Sequence, residues 1–258
     1  MPTSRYKIEA LARGLEILSL FTTERPSLNL TEIVTATQFN KSTVFRLVAT
    51  LVMLGYLERI PETRGYRPAL KVLHLGFATL NSLEISQIAQ PYLKSLSNET
   101  GETTNMAIRD GTDIIYVARN ATRQIIGVNV QRGSRAPVYC TSMGKAQLIN
   151  LSREELFDLL GKGPYLKQGP NTITSLDALE AELDRVRQNG YAINDEELAF
   201  GLRSVAAPIR NSEGEVIAAI NISFPGGRLS RQEIEANMAP KIVDTARQIS
   251  SALGASPH

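Results

Sequence analysis

The chain has 258 residues, of which 43% are hydrophobic and 21% charged, an ordinary globular composition with enough length for one small and one mid-sized domain. No apolar run reaches the roughly 18 residues of a membrane span, no secretory signal is visible, and a single cysteine excludes an internal disulfide framework, so we expect a cytoplasmic protein. The net charge is only +2, but residues 1–70 carry nine Lys or Arg against six Asp or Glu, whereas residues 71–258 carry 19 against 20. The basic excess at the N-terminal end is a modest form of the charge that phosphate contacts require.

Three short helices, a hairpin and a connecting helix are predicted at the start of the chain. The helices span residues 8–21, 30–36 and 41–54, the hairpin strands span 56–60 and 65–68, and the connecting helix spans 69–83. Asn29 and Glu32 have the spacing of a capping box. Asn40 is a suitable N-cap for the third helix, and Gly55 ends that helix. This order of elements predicts a winged helix-turn-helix.

The remaining residues predict a second domain of the α+β class. Predicted helices span 85–99, 142–150, 152–160, 176–189 and 230–253, and predicted strands span 103–109, 112–119, 125–130, 191–194, 203–210 and 215–224. Asp110 and Gly111 form a hairpin turn, and Ser152 with Glu155 forms a capping box. Short strands joined by hairpins predict an antiparallel sheet with flanking helices. The predicted segments are a winged helix-turn-helix domain at 1–68, a connecting helix at 69–84 and the α+β domain at 85–258.

The third predicted helix and the hairpin present polar and basic side chains away from the apolar stripe. In a helix-turn-helix the second helix of the pair enters the major groove, with its first turns toward the base edges. We predict DNA contacts by Lys41, Ser42, Thr43, Arg46, Thr50, Arg59, Arg64 and Arg67. Arg46 suits either a guanine or a phosphate, and the sequence does not choose between them. The alternative is a three-helix bundle with a solvated basic face, but such a bundle needs neither the hairpin nor the stiff connecting helix.

Few side chains suited to catalysis are present. The chain has two histidines, His74 and His258, in the connecting helix and at the C-terminus, so neither is a base beside a credible nucleophile. Cys140 has no histidine partner and is interpreted as a small buried hydrophobe. We predict no enzyme, metal or cofactor, because neither Cys/His metal spacing nor a Gly-rich phosphate loop occurs. A pure protein-interaction module is the other alternative class, which salt-dependent, sequence-specific promoter binding would exclude.

Ordered motifs in both predicted domains carry a family resemblance. They are the segments 10–18, 30–33, 41–47, 54–57, 65–70, 90–93, 141–146, 195–197 and 201–209. Over nearly its whole length the chain resembles the IclR family of bacterial transcriptional regulators. Tyr116–Arg119 together with Thr141–Gly144 is similar to the branch that controls β-ketoadipate and related aromatic-acid catabolism. The resemblance implies a GAF/PAS-like second domain that binds a small organic acid, most favourably an aromatic carboxylate.

The resemblance also implies where that acid binds, in a pocket over a curved sheet. The residues carried onto the pocket are Met106, Tyr116, Tyr139, Ser142, Met143, Gly144, Asn194, Asp195, Arg203, Ser204, Asn221 and Ser223. Ser142 to Gly144 begin a predicted helix, whose N–H groups suit a carboxylate, with an ordinary capped helix start as the alternative. For each of Met106, Tyr116 and Tyr139, core packing is the alternative to a pocket wall.

Two features of the implied pocket leave alternatives open. Arg203 meets either an effector carboxylate or an internal partner, Asp195 or Glu196. Some family members that act on small aliphatic acids have glycine in place of Ser142 and cysteine in place of Ser204. These differences favour an aromatic acid and leave a small aliphatic acid as the alternative.

The resemblance and the helix-turn-helix together imply the partners. Regulators that read palindromic operators are symmetric, so we expect a homodimer or tetramer that associates through the N-terminal and connecting helices. The other expected partners are double-stranded operator DNA and, for an activator, RNA polymerase. No membrane partner is expected.

Overall fold

The computed structural model describes residues 7–22, 25–82, 84–122 and 130–255. The chain divides into two compact units, Met1–Ser82 and Leu83–His258. The first is helical with a small hairpin, and the second is an antiparallel sheet with helices, so the predicted α+β class is confirmed. Among the described residues no helix is long and apolar enough to cross a membrane.

The first unit contains a helix-turn-helix and a wing. Its elements are α1 (Glu9–Ser19), α2 (Leu30–Thr37), α3 (Lys41–Met53), β1 (Leu57–Arg59), β2 (Tyr66–Pro68) and α4 (Lys71–Ser82). The side chain of Asn29 accepts hydrogen bonds from the N–H groups of Thr31 and Glu32, and the Glu32 carboxylate accepts one from the N–H of Asn29. Asn40 caps α3 by accepting from the N–H of Thr43 at 2.8 Å. Both predicted caps are present, and they fix the residues at which α2 and α3 begin.

Apolar side chains from the three helices and the wing form the core of the first unit. The buried members are Ile17, Leu28, Ile33, Val44, Val48, Leu51 and Leu57. On α3 they recur at helical spacing, which leaves the opposite side of that helix to solvent. On α1 the sequence predicts an inward face through Leu11, Leu15 and Leu18, but Leu11 and Leu15 are 60% and 56% exposed. The buried side of α1 is instead set by Ile17.

The second unit contains one six-stranded sheet. Its elements are α5 (Glu84–Thr100), β3 (Thr103–Asp110), β4 (Asp113–Asn120), β5 (Arg135–Pro137), α6 (Ser142–Leu148), α7 (Arg153–Leu160), α8 (Leu176–Asn189), β6 (Ala192–Asp195), β7 (Leu202–Arg210), β8 (Val216–Pro225), α9 (Arg231–Glu233) and α10 (Ala239–Ala252). The strand order is β5-β4-β3-β8-β7-β6, and every pairing is antiparallel. Helix α6 packs on the face that carries Ala107, Ala206 and Ala219. Helices α5 and α10 pack on the other face, because neighbouring strand residues alternate between faces.

Two predicted elements of the second unit differ from the structure. The strand predicted at 125–130 lies outside the described residues except for its last position, and β5 pairs with β4 at 135–137 instead. The helix predicted at 230–253 has the predicted cap of Ser230 and Glu233, but a π-helical turn at Ile234–Met238 interrupts it. Pro240 follows that turn and provides the reason, since proline has no N–H to continue a regular helix.

Candidate functional site

The solvent side of α3 carries the predicted DNA-contacting residues of the helix. Lys41, Ser42, Arg46 and Thr50 are exposed, and Thr43 is half-buried beside the cap. The Ser42 hydroxyl donates to Asn40 Oδ1 at 2.9 Å, and the Thr50 hydroxyl donates to the backbone oxygen of Arg46 at 2.8 Å. Both hydroxyls therefore remain available chiefly as acceptors. Within the described residues no carboxylate pairs with Arg46.

The wing holds its three predicted arginines in different electrostatic states. Arg67 pairs with Glu58 directly opposite it on the hairpin, so its charge is partly neutralised. Arg59 and Arg64 are exposed, and neither has an ion-pair partner in the part of the chain that the structure describes. Arg64 has a φ of 55°, a left-handed conformation that costs a non-glycine residue about 1–2 kcal/mol. The strained turn points to a role for the wing tip, because such conformations concentrate at binding sites.

A small polar cavity lies in the second unit, between α6 and the sheet. Its lining residues are Asn105, Tyr116, Arg119, Val130, Thr141, Ser142, Asn194, Leu198, Leu202, Ser204, Asn221 and Ser223. Half of the twelve predicted effector residues are among them, namely Tyr116, Ser142, Asn194, Ser204, Asn221 and Ser223. The cavity volume is about 20 Å³, room for roughly one water molecule. A hydrogen bond of 2.7 Å between the hydroxyls of Ser142 and Ser204 closes it from α6 to β7.

A β-bulge brings the cationic side chain to this cavity. Met106 pairs with Ala118 and the next residue, Ala107, pairs with Tyr116, so Val117 is an extra residue on β4. The bulge reverses the alternation of β4, and Tyr116 and Arg119 therefore lie on the same face although they are three residues apart. Sequence reasoning from strict alternation missed Arg119 for this reason.

Arg119 enters a chain of hydrogen-bonded side chains across three strands. Its Nη1 donates to Asn105 Oδ1 at 2.8 Å, and Asn105 Nδ2 donates to Asn221 Oδ1 at 2.8 Å and to Ser223 Oγ at 3.1 Å. Burial lowers the pKa of the Arg119 guanidinium, and the phenol of Tyr116 opposes that change. No carboxylate among the described residues pairs with Arg119. The cavity thus contains a partly desolvated cation whose charge no described acid balances.

Tyr116 adds a neutral donor beside that cation. Burial raises the pKa of the Tyr116 hydroxyl to about 12, so it keeps its proton at neutral pH. No hydrogen bond from this hydroxyl is found within the described residues. A phenolic donor, a guanidinium and several amides and hydroxyls around a small space form the donor set that binds a carboxylate.

Comparison with known proteins identifies the family. Residues 10–61 match the IclR helix-turn-helix domain, and residues 77–251 match the C-terminal domain of the bacterial transcriptional regulator IclR. The chain belongs to the IclR family. It is 36% identical to the Pca regulon regulatory protein of Pseudomonas putida over 93% of this chain and 82% of that protein, and 34% identical to the HTH-type transcriptional regulator XynR of Escherichia coli over 96% and 98%. An IclR-family regulator from Brucella abortus has a similar structure, with a TM-score of 0.83 and 30% identity over 96% of this chain and 94% of that one.

Membership of this family makes the chain a DNA-binding transcriptional regulator and not an enzyme. The helix-turn-helix match covers α2 and α3, and the C-terminal match covers the whole sheet and the cavity over it.

Six of the predicted effector residues do not line the cavity. Arg203 takes the internal alternative, since its Nε donates to Asp195 Oδ1 at 2.6 Å and its Nη2 lies 3.6 Å from Glu196 Oε1. Tyr139 donates to the backbone oxygen of Leu166 at 2.7 Å, and its ring packs against another tyrosine. The other three, Met106, Met143 and Gly144, are fully or almost fully buried. For Met106 the cause is alternation, because its neighbour Asn105 faces the cavity.

Gly144 has a steric role in seating α6. A Cβ at this position would lie 2.2 Å from the backbone oxygen of Val138 and 2.5 Å from Thr141 Oγ1, and the Gly144 N–H already donates to that hydroxyl. We therefore expect Gly144→Ala to lower the free energy of unfolding by about 2 kcal/mol through overpacking. Thermal denaturation measures this, with Gly227→Ala as the matched control, because nothing lies within 4 Å of a Cβ there. Equal melting temperatures for the two variants would contradict the steric role.

A buried ion cluster lies directly behind the cavity wall, and sequence reasoning did not single it out. Lys145 is fully buried on α6, and its Nζ donates to Glu197 Oε1 at 2.5 Å, to the backbone oxygen of Ile193 at 2.6 Å and to Glu182 Oε1 at 3.3 Å. The backbone N–H of Glu197 donates to Asn194 Oδ1 at 2.9 Å, and Asn194 lines the cavity. The cluster thus joins the α6 wall of the cavity to the β6 wall.

Proposed function

We propose that this regulator senses a small organic acid, most favourably an aromatic carboxylate, in the cavity beneath α6. The observation that carries the proposal is the unbalanced Arg119 cation, which lies among neutral donors in a partly desolvated place. An anion there would gain charge-assisted hydrogen bonds and would need no displaced counter-ion. Val130, Leu198 and Leu202 provide apolar wall for a ring beside the polar groups. The 36% identity to the Pca regulon regulatory protein also supports an effector from aromatic catabolism.

A small aliphatic acid is the second candidate, and the size of the cavity favours it. A volume of about 20 Å³ takes no aromatic ring unless the walls separate. The hydrogen bond between Ser142 and Ser204 and the one between Asn105 and Asn221 close the space, and both are exchangeable for bonds to a carboxylate. An aromatic effector thus requires α6 to move away from the sheet, whereas a two- or three-carbon acid requires much less.

A thermal-shift comparison with chosen probes tests both candidates. The probes are benzoate, its neutral analogue benzamide, and glyoxylate. A ligand at 100 times its dissociation constant adds about 2.7 kcal/mol to the free energy of unfolding. Stabilisation by benzoate alone supports the aromatic acid, stabilisation by glyoxylate alone supports the aliphatic acid, and equal stabilisation by benzoate and benzamide would contradict recognition of the charge.

Replacing Arg119 locates the carboxylate. We expect Arg119→Gln to weaken binding of the stabilising acid by about 10- to 100-fold, the loss of one or two hydrogen bonds to a charged group. Isothermal titration measures it, and Arg247→Gln on the exposed side of α10 is the control for net charge. Unchanged affinity in Arg119→Gln would remove the basis of the proposed site.

We further propose that the output surface is α3 with the wing, including Lys41 and Arg46, acting on operator DNA in the cytoplasm. The domains are then the DNA-binding segment 1–68, the connecting segment 69–84 and the sensor 85–258. Effector binding would bias the geometry of paired wings through the connecting helix and so change operator affinity or contact with RNA polymerase. A ligand that binds but alters neither operator binding nor transcription would contradict this coupling.

The operator-binding form in this proposal is a homodimer or a tetramer. Ile8, Leu11 and Leu15 form an exposed apolar stripe on and before α1, and Leu70 and Leu73 are exposed at the start of α4. An apolar stripe of this length on each of two segments supports association through them. Sedimentation of Leu11→Glu against the wild-type chain checks it, with a shift to the monomer as the expected result.

A further inference from the structure

An aromatic side chain on α3 lies outside the core and outside the predicted set of DNA-contacting residues. Phe45 is 58% exposed, whereas Val44 next to it is fully buried. Phe45 belongs neither to the buried core of the first unit nor to the partly buried side chains that pack against that core. Folding of this unit therefore does not account for an aromatic residue at this position.

The neighbours of Phe45 place it on the surface that reads DNA. It follows Ser42 by three residues and precedes Ala49 by four, which puts these side chains side by side on the helix. Ser42, Arg46 and Ala49 are all exposed. The phenyl ring and the Ala49 methyl thus form a small apolar patch beside the Arg46 guanidinium, on the same N-terminal half of the helix.

The chemistry of the major groove offers one apolar feature that such a patch recognises. Thymine carries a C5 methyl group there, and alanine and phenylalanine side chains are among the groups that contact it. The cations Lys41 and Arg46 on either side provide the charge complementarity for a polyanion. A protein partner of the same patch would gain little from these cations, so the charges favour DNA as the occupant.

We propose that Phe45, with Ala49, reads a thymine methyl in the operator and is a specificity-determining residue of this regulator. The proposal rests on α3 being the helix that enters the major groove. Removing the aromatic ring abolishes the preference for thymine at one position of each half-site. The preference for the base beside Arg46 stays, because the guanidinium is untouched.

Replacement of thymine by deoxyuridine tests the contact without any change in the protein. A duplex selected from a randomised pool by the wild-type protein is remade with deoxyuridine at each thymine in turn, which keeps base pairing and removes one methyl. Burying one methyl-sized group is worth about fourfold in affinity. We expect one position per half-site at which the wild-type protein loses about fourfold and at which Phe45→Ala loses nothing. Insensitivity of the wild-type protein at every position would overturn the proposal.

Two comparisons separate methyl recognition by Phe45 from recognition by another residue and from a contact between copies of the chain. Phe45→Leu keeps an apolar side chain and is expected to keep part of the deoxyuridine effect, whereas Phe45→Ala retains non-specific, salt-dependent DNA binding because its charges are unchanged. If Phe45→Ala remains as sensitive to deoxyuridine as the wild-type protein, the methyl is read by another residue and the proposal is wrong. If instead Phe45→Ala changes the oligomeric state and leaves base preference intact, the patch joins two copies of the chain and the proposal is also wrong.

Discussion

Replacing Arg46 by alanine is expected to weaken operator binding by at least about 100-fold while effector affinity stays unchanged. A bidentate arginine–guanine contact discriminates by about 1–3 kcal/mol, and a dimer on a palindrome makes that contact twice. Arg46 is exposed and has no described carboxylate partner, so its whole charge is available to the duplex. Fluorescence anisotropy with a duplex selected by the wild-type protein measures the loss, and titration of the effector measures what is retained.

Two controls decide whether Arg46 reads a base or binds a phosphate. A phosphate contact predicts a uniform loss across all duplexes and a salt dependence that is lower by about one ion for each contact. A base contact predicts relaxed preference at one base pair, and Arg46→Lys then fails to restore it because a lysine lacks the planar fork. Arg59→Ala on the wing is the matched removal of one exposed positive charge. Joint loss of operator and effector binding in Arg46→Ala would point to misfolding and would contradict the prediction.

The parts of this structure that the sequence predicts are the ones encoded within a few residues. Capping boxes at Asn29, Ser152 and Ser230 bring together groups three residues apart, and all three are present in the structure. The α3 stripe follows from helical periodicity in the same way. The start of each of these helices, the wing and the α+β class are therefore predictable from the sequence.

Only half of the cavity is predictable in this way, because its remaining residues depend on contacts between distant strands. Arg119 reaches the cavity through the extra residue Val117, and only the pairing of β3 with β4 reveals that residue. For Arg203 the sequence does not choose between an effector and an acid, and the neighbouring strand end decides for Asp195. Lys145 belongs to a residue type that is usually exposed, and its burial depends on carboxylates 37 and 52 residues away.

The second large effect is expected at that lysine. Lys145→Met should lower the free energy of unfolding of the second unit by about 3–5 kcal/mol, because Glu197 and Glu182 would remain close together without their shared cation. Lys241→Met is the matched control, since Lys241 makes an exposed pair with Glu99 and such pairs contribute about 0–1 kcal/mol. Thermal denaturation of the full chain measures both, and similar losses in the two variants would contradict the importance of the buried cluster.

The pH dependence of the Lys145→Met variant separates lost charge compensation from lost packing. Burial raises the pKa of the Glu197 carboxyl, and the Lys145 ammonium opposes that rise. Without Lys145 the folded-state pKa rises further above its unfolded value, so the folded state binds a proton more tightly and its stability falls as pH increases through that pKa. The deficit relative to wild type should therefore be smaller at pH 5 than at pH 8, and adding Glu197→Gln should recover part of the loss at pH 8. A deficit that is independent of pH would assign it to packing alone. Because Glu197 also orients Asn194 in the cavity wall, recovery of stability should be accompanied by recovery of effector affinity.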